Sequence, residues 1–184
     1  MPVHFEPTEM KCRRQRVSER ISELGMDGLL IFKQESMYYL TGYDTFGFSM
    51  FQCLVIDTSG HTVLLTRLPD LRQAQFTSDI QDIRIWHDTE NANPTLELRD
   101  LLESLGYRNK RIGIELDSYG LKAHYWRLLE TQLDGFCTLV DTSTLIDQFR
   151  RVKSSKEIEY IRRAGELSDD AWNQAVQLTE PGAF

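Results

Sequence analysis

The chain of 184 residues is poor in cysteine: Cys12, Cys53 and Cys137 are its three. The number is odd, the spacing is wide and no two form a C-x-x-C pair. A disulfide framework and a cysteine-based zinc site are therefore both disfavoured, and buried, reduced thiols in a cytoplasmic protein are expected. Long apolar runs are missing too. None exceeds four residues, far short of the roughly 20 that span a bilayer. The opening Met1-Pro2-Val3-His4-Phe5-Glu6 carries neither the basic nor the apolar segment of a secretory leader, so no membrane is expected as a partner. Proline (five) and glycine (eleven) are scarce, while hydrophobic residues make up 41%. Collagen-like, low-complexity and disordered classes are thereby excluded. Positive charge is also in deficit, with 21 Lys and Arg against 28 Asp and Glu for a net charge of −7. Such a chain has no global field to gather phosphate backbones, so nucleic acid is not an expected partner.

What is present is an alternation of strand and helix patterns. Met10, Val17, Ile21 and Leu24 recur at helical spacing over residues 9–24, with Gly25 placed as a C-terminal cap. Lys11, Arg13, Arg14, Arg16 and Arg20 share that helix with Glu9, Glu19 and Glu23, which reads as a solvated polar face. Short apolar runs predict strands over 28–33, 51–56, 62–66, 83–86, 111–115 and 137–140. The second and third of these are joined by Asp57-Thr58-Ser59-Gly60-His61, a hairpin loop with a glycine available for positive φ. Asn93 with Pro94 opens a helix that runs to Gly106, and Asp117 or Ser118 is expected to open another through Gln132. The pattern is that of a mixed α/β sheet of six strands with helices on its faces.

The tail differs in character. Ser154-Ser155-Lys156-Glu157 has the form of a capping box. Ile158, Ile161, Ala164, Leu167, Ala171, Ala175 and Leu178 then line one face of a long helix that Pro181-Gly182 stops. This stripe reads as a connector into a further domain or as a helix folded back on the sheet.

Motifs for chemistry are few. Gly42-Tyr43-Asp44-Thr45-Phe46-Gly47 has the spacing of a phosphate-binding loop, but Phe48 and Ser49 stand where Lys and Ser or Thr are required. G-x-G-x-x-G and G-x-S-x-G are both missing, and His4, His61, His87 and His124 show no metal-ligand spacing. His87-Asp88 and the pair Glu115 and Asp117 lie at predicted strand ends, where sites in α/β folds collect. Capping and turn roles fit Asp88 and Asp117 better, although Glu115 and Asp117 would share a face if the strand continued. Residues 37–48 place five aromatic rings in twelve residues between two strands. A segment this aromatic either fills a core or lines a pocket and an interface.

Tyr39-Leu40-Thr41-Gly42-Tyr43, Arg111-Ile112-Gly113-Ile114-Glu115 and the run Arg150-Arg151-Val152-Lys153-Ser154-Ser155-Lys156-Glu157-Ile158 through Ala164 together resemble the N-terminal domain of the creatinase, prolidase and Xaa-Pro aminopeptidase family. The resemblance implies a ribonuclease-H-like α/β domain over residues 1–150, with six strands and helices on both faces. Residues 151–184 would form the connecting helix and the start of a C-terminal metallohydrolase domain. It implies no cofactor and no catalytic residue in this chain. A dinuclear divalent metal (Mn, Co or Zn) would sit in the C-terminal domain, which would be this domain's partner within a cytoplasmic homodimer. The family's substrate-contacting Phe-x-Arg corresponds to Phe48 and Met50, so the arginine that would pair with a carboxylate is replaced by a thioether. Creatine is disfavoured as substrate on that ground, and proline dipeptides or a related amide fit better. Tyr43, Asp44, Phe48 and Met50 are then the residues expected nearest the substrate. Two other readings stand beside this one. One is a ribonuclease-H-like nuclease using Asp57, Glu115 and Asp141 to hold two divalent ions. The other is a free-standing interaction module that binds through the aromatic segment or the 158–178 stripe.

Overall fold

A computed structural model describes residues 4–182 and divides the chain into two units, 1–149 and 150–184. In chain order the elements are α1 (Pro7–Glu23), β1 (Gly28–Ile31), α2 (Gln34–Thr41), β2 (Cys53–Asp57), β3 (Thr62–Arg67), α3 (Leu71–Thr77), β4 (Asp82–Trp86), α4 (Pro94–Ser104), β5 (Arg111–Ile114), α5 (Ala123–Leu133), β6 (Thr138–Asp141), α6 (Leu145–Arg150) and α7 (Ser155–Leu178). Single 3-10 turns at Phe46–Ser49 and Leu68–Asp70 precede β2 and α3.

The six strands form one sheet in the order β4-β3-β2-β1-β5-β6. β2 runs antiparallel to both β1 and β3, and the remaining pairs are parallel. The β2–β3 hairpin is closed by Asp57, whose Oδ1 accepts from Ser59 N, Ser59 Oγ and His61 N at 2.8, 2.7 and 3.0 Å. Gly60 supplies the left-handed residue at φ 85°.

Successive strand residues face opposite sides of the sheet, and each face is apolar. Leu29, Ile31, Leu54, Ile56 and Leu64 pack with Val17 and Ile21 of α1, Met37 and Leu40 of α2, Ala74 of α3 and Ile146 of α6. Leu30, Val55, Val63, Leu65, Ile112 and Ile114 pack with Leu98 and Leu102 of α4 and Leu129 and Leu133 of α5. Helices thus cover both faces of the mixed sheet.

Several local expectations need correction. Three short helices, α2, α3 and α6, lie where no helix was read, because eight, seven and six residues are too few to display a periodic stripe. α5 begins at Ala123, not at Asp117 or Ser118. The Leu116 and Asp117 amides donate to Ser143 Oγ at 2.9 and 3.2 Å, which ties that stretch to the turn after β6. β1 stops at Ile31 because the next two amides, Phe32 and Lys33, donate to the Glu115 carboxylate. The basic face of α1 is only partly solvated. Arg13 is 4% exposed, donates to Tyr39 O and pairs with Glu9, and Arg14 donates to Leu40 O and pairs with Asp79. Those carbonyls lie in the last turn of α2, where cations are favoured. All three cysteines are free, but Cys12 is exposed and Cys137 half-buried, leaving Cys53 as the buried thiol.

In the second unit, α7 starts with the predicted capping box. Glu157 N donates to Ser154 Oγ at 3.2 Å, and Ser154 N donates to Glu157 Oε2 at 2.8 Å. None of the α7 residues is buried. No helix among the described residues is long and apolar enough to cross a membrane.

Candidate functional site

The aromatic segment between β1 and β2 is held by a polar frame. α2 ends at Gly42, which adopts φ 76° and donates to Tyr38 O at 2.8 Å, turning the chain sharply. Tyr43 then points inward, with no exposed surface, and its hydroxyl lies 2.5 Å from Gln52 Oε1. Gln52 is a buried hub. Its Oε1 also accepts from Thr66 Oγ1 at 2.9 Å, and its Nε2 donates to Gly47 O at 2.7 Å. Burial pushes the Tyr43 phenol above its usual range, so it stays a donor.

A second buried group holds the tip. Thr45 Oγ1 donates to Asp70 Oδ1 at 3.0 Å and accepts from Gly47 N at 2.9 Å. Asp70 is paired with Arg67 at 3.0 Å, and Arg67 lies 3.5 Å from Asp88. Gly47 fits because a Cβ there would overlap the Asp70 carboxylate.

On this frame the intervening side chains face outward. Phe46 is 92% exposed and Phe48 and Met50 about half so. Tyr119, 67% exposed, meets Phe48 edge-on with centroids 6.4 Å apart. Gly120 permits that approach, since a Cβ there would stand 2.8 Å from Phe32 O and 3.5 Å from Phe48 O. Asp44 is exposed, and its amide donates to Thr77 Oγ1 at 3.1 Å. Of the four residues expected near a substrate, Asp44, Phe48 and Met50 are exposed, whereas Tyr43 is buried. Core filling and surface display, the two readings of this segment, are divided among its residues. Tyr119 was missed because it lies about 70 positions away in sequence, and no spacing signal links it to Phe48.

The carboxylates do not assemble as a nuclease requires. Asp57 pairs with Gly28 at the start of β1, whereas Glu115 follows Ile114, the partner of Leu30 near the other end. Antiparallel β2 thus puts Asp57 at the opposite end of the sheet from Glu115 and Asp141. Glu115 is fully buried, accepting from Ser36 Oγ at 2.6 Å, Lys33 N at 3.0 Å and Phe32 N at 3.2 Å. Burial raises its pKa to about 7 against the opposing effect of those donors. It caps the start of α2, where Lys33 offers no side-chain cap. For Lys33 itself, burial disfavours the ammonium, but the neighbouring Asp147, Glu115 and Asp117 together hold its pKa above the usual value. Asp141 accepts from Ser143 N and Oγ, and the exposed Asp117 shares no site with Glu115. Among the described residues, no three His, Cys, Asp or Glu side chains come together as a metal site. The residues present therefore do not fit a dinuclear metal.

Comparison with known proteins gives a consistent picture. The model of the creatinase/prolidase N-terminal domain matches residues 13–152. An ectoine hydrolase from Halomonas elongata is 29% identical over 97% of the chain and 46% of its own length. A dipeptidase from Pyrococcus horikoshii superposes with a TM-score of 0.72 at 25% identity, covering 91% of this chain and 44% of the dipeptidase. A prolidase from Thermococcus sibiricus shares the fold at TM-score 0.75 and 18% identity, over 92% of this chain and 44% of the prolidase. The chain thus spans about half the length of the relatives it matches.

Proposed function

The chain belongs to the creatinase/prolidase N-terminal domain family, and from that premise we propose that it is the non-catalytic half of a metal-dependent hydrolase. The catalytic centre, with a dinuclear site for Mn, Co or Zn, lies in a C-terminal domain. The domain described here shapes the substrate entrance and contributes to the interface of a cytoplasmic homodimer. The observation that carries this reading is the exposure of Phe46, Phe48, Met50 and Tyr119, with Phe48 set against Tyr119, on a hydrogen-bonded frame. Exposed aromatic area of this kind is costly in water and is repaid when a ligand or a partner surface covers it.

Phe48 and Met50 form the apolar wall of the entrance, with Asp44 at its edge, and Tyr43 supports them from below. The unburied α7 stripe is the face the C-terminal domain covers. Met50 stands where the resemblance would place a carboxylate-pairing arginine, which disfavours creatine and leaves proline dipeptides or a compact cyclic amide or amidine, whose own carboxylate must be held by another group. The ectoine hydrolase relative brings ectoine into the second class.

The test is an assay of the full-length protein, loaded separately with Mn, Co and Zn, against proline dipeptides and ectoine. Turnover of either is expected, with F48A lowering kcat/KM and leaving the metal content unchanged. No turnover of any of them with any metal would sink the reading, as would an F48A protein indistinguishable from the parent.

A further inference from the structure

At the end of β1 opposite α2 lies a half-open pocket of about 240 Å³ lined by Asp27, Val55, Asp57, His61, Tyr107 and Lys110, among others. We propose that this pocket binds a small organic cation, a primary ammonium or amidinium on a short aliphatic body. The inference is independent of the reading above.

Tyr107 is built into place. Gly106 ends α4 at φ 80°, its amide donates to Glu103 O at 3.0 Å, and Tyr107 N donates to Leu102 O at 3.0 Å. This double closure of the helix end fixes the tyrosine backbone. The ring then lies over Gly28, where a Cβ would stand 2.5 Å from the phenolic oxygen and 2.8 Å from the ring. Tyr107 is only 6% exposed, and its hydroxyl, which makes no hydrogen bond among the described residues, opens into the pocket. Burial, with Asp57 and Asp27 nearby, pushes its pKa up and keeps the phenol protonated. A hydroxyl without a protein partner takes one from the space it faces, water or a ligand donor or acceptor.

The charges define that partner. Asp27 is spent, since Oδ1 accepts from Lys110 Nζ at 3.0 Å and Oδ2 from Arg111 N at 2.9 Å, contacts that hold it below the usual carboxylate range. Lys110 is neutralised by the same pair. Asp57 uses Oδ1 for the three hairpin donors, and Oδ2 accepts no hydrogen bond among the described residues. One carboxylate oxygen and one phenol thus remain over an apolar floor. An N–H cation can donate to both oxygens, whereas an anion would meet the unneutralised Asp57 charge. The volume lies below the roughly 300 Å³ at which drug-sized sites begin, so the body must be short.

The test is a titration of the whole isotope-labelled chain with n-propylammonium chloride at neutral pH, read by amide chemical shifts. Propionate and n-propanol serve as controls. Saturable shifts are expected at His61, Gly106 and Tyr107, with a dissociation constant in the millimolar range or below. Asp57→Asn should weaken binding about tenfold while its amide oxygen still accepts the hairpin donors. Tyr107→Phe, which removes only the hydroxyl, provides a second variant and should weaken binding several-fold. Shifts that do not saturate by about 100 mM would overturn the proposal, since they would indicate adventitious binding only. So would equal shifts with propionate or propanol, or unchanged binding in both variants.

Discussion

Arg13 holds Tyr39 twice, donating Nη1 to its carbonyl at 3.0 Å and placing the guanidinium 4.5 Å from its ring centroid. Nη2 meets Glu9, and the Phe5 ring lies 4.1 Å away. One side chain of α1 thus closes the end of α2 just before the chain turns into the aromatic segment. Replacing it by methionine strands a buried carbonyl and should cost about 2–3 kcal/mol. Lysine should restore less than half of that, because a point charge cannot both stack and fork. Urea unfolding of the two variants measures the difference.

Gln52 should be the costliest polar residue of the frame to lose. Q52L leaves Tyr43, Thr66 and Gly47 without their partner and should destabilise by about 3 kcal/mol or more. Y43F leaves Gln52 bonded to Thr66 and should cost about 1 kcal/mol. In a double-mutant cycle the two losses should fall short of additive, and simple additivity would show that the hub is not coupled.

Two glycines should respond differently to alanine. At Gly47 the new methyl would run into the Asp70 carboxylate, itself fixed by Arg67 and Thr45, and come within 2.8 Å of Gln52 Nε2. The expected cost is about 2–3 kcal/mol, from overpacking. At Gly106 nothing lies within 4 Å, and only the left-handed backbone objects, at about 1 kcal/mol. Thermal midpoints of the two variants rank them directly.

Glu115 should make stability depend on pH. Its pKa rises from the usual 4.5 to about 7 on folding, so between those values the folded state binds the extra proton. The stabilisation is fully present below the unfolded pKa and is lost as pH rises through about 7. The loss is on the order of 3 kcal/mol. E115Q, which cannot titrate, should remove this slope, so the gap between parent and variant should change across that window. Denaturant midpoints at pH values on either side check it, and parallel curves would show that Glu115 does not titrate there.

The layers of the fold were legible in the sequence where hydrophobic period and turn chemistry agreed. All six strands are legible, because strand-length segments of four to six residues, apolar and bounded by turn signals, are distinctive. α1, α4 and α7 were found from their stripes and caps. α2 was hidden because it is short and its N-terminus is held from a distance by Glu115, 79 positions beyond Ser36, with no local signal. The same remoteness concealed the site. Tyr43 and Phe48 look alike as letters in an aromatic run. Gln52 and Thr66 draw one inward, while Gly120 lets the other rest against Tyr119 at the surface. The three strand-end carboxylates looked convergent only because strand direction cannot be read from a list of strands.

The strand order also governs how copies of this chain can meet. The outermost strands, β4 and β6, are five and four residues long. β4 carries the Asp82–Arg84 ion pair, and β6 ends on the exposed Asp141. Short, charged borders are poor templates for another backbone. Self-association by continuing the sheet from one molecule into the next is thus disfavoured at both flanks. A dimer must be assembled from side-chain surfaces, which point mutations can dissect without disturbing main-chain pairing.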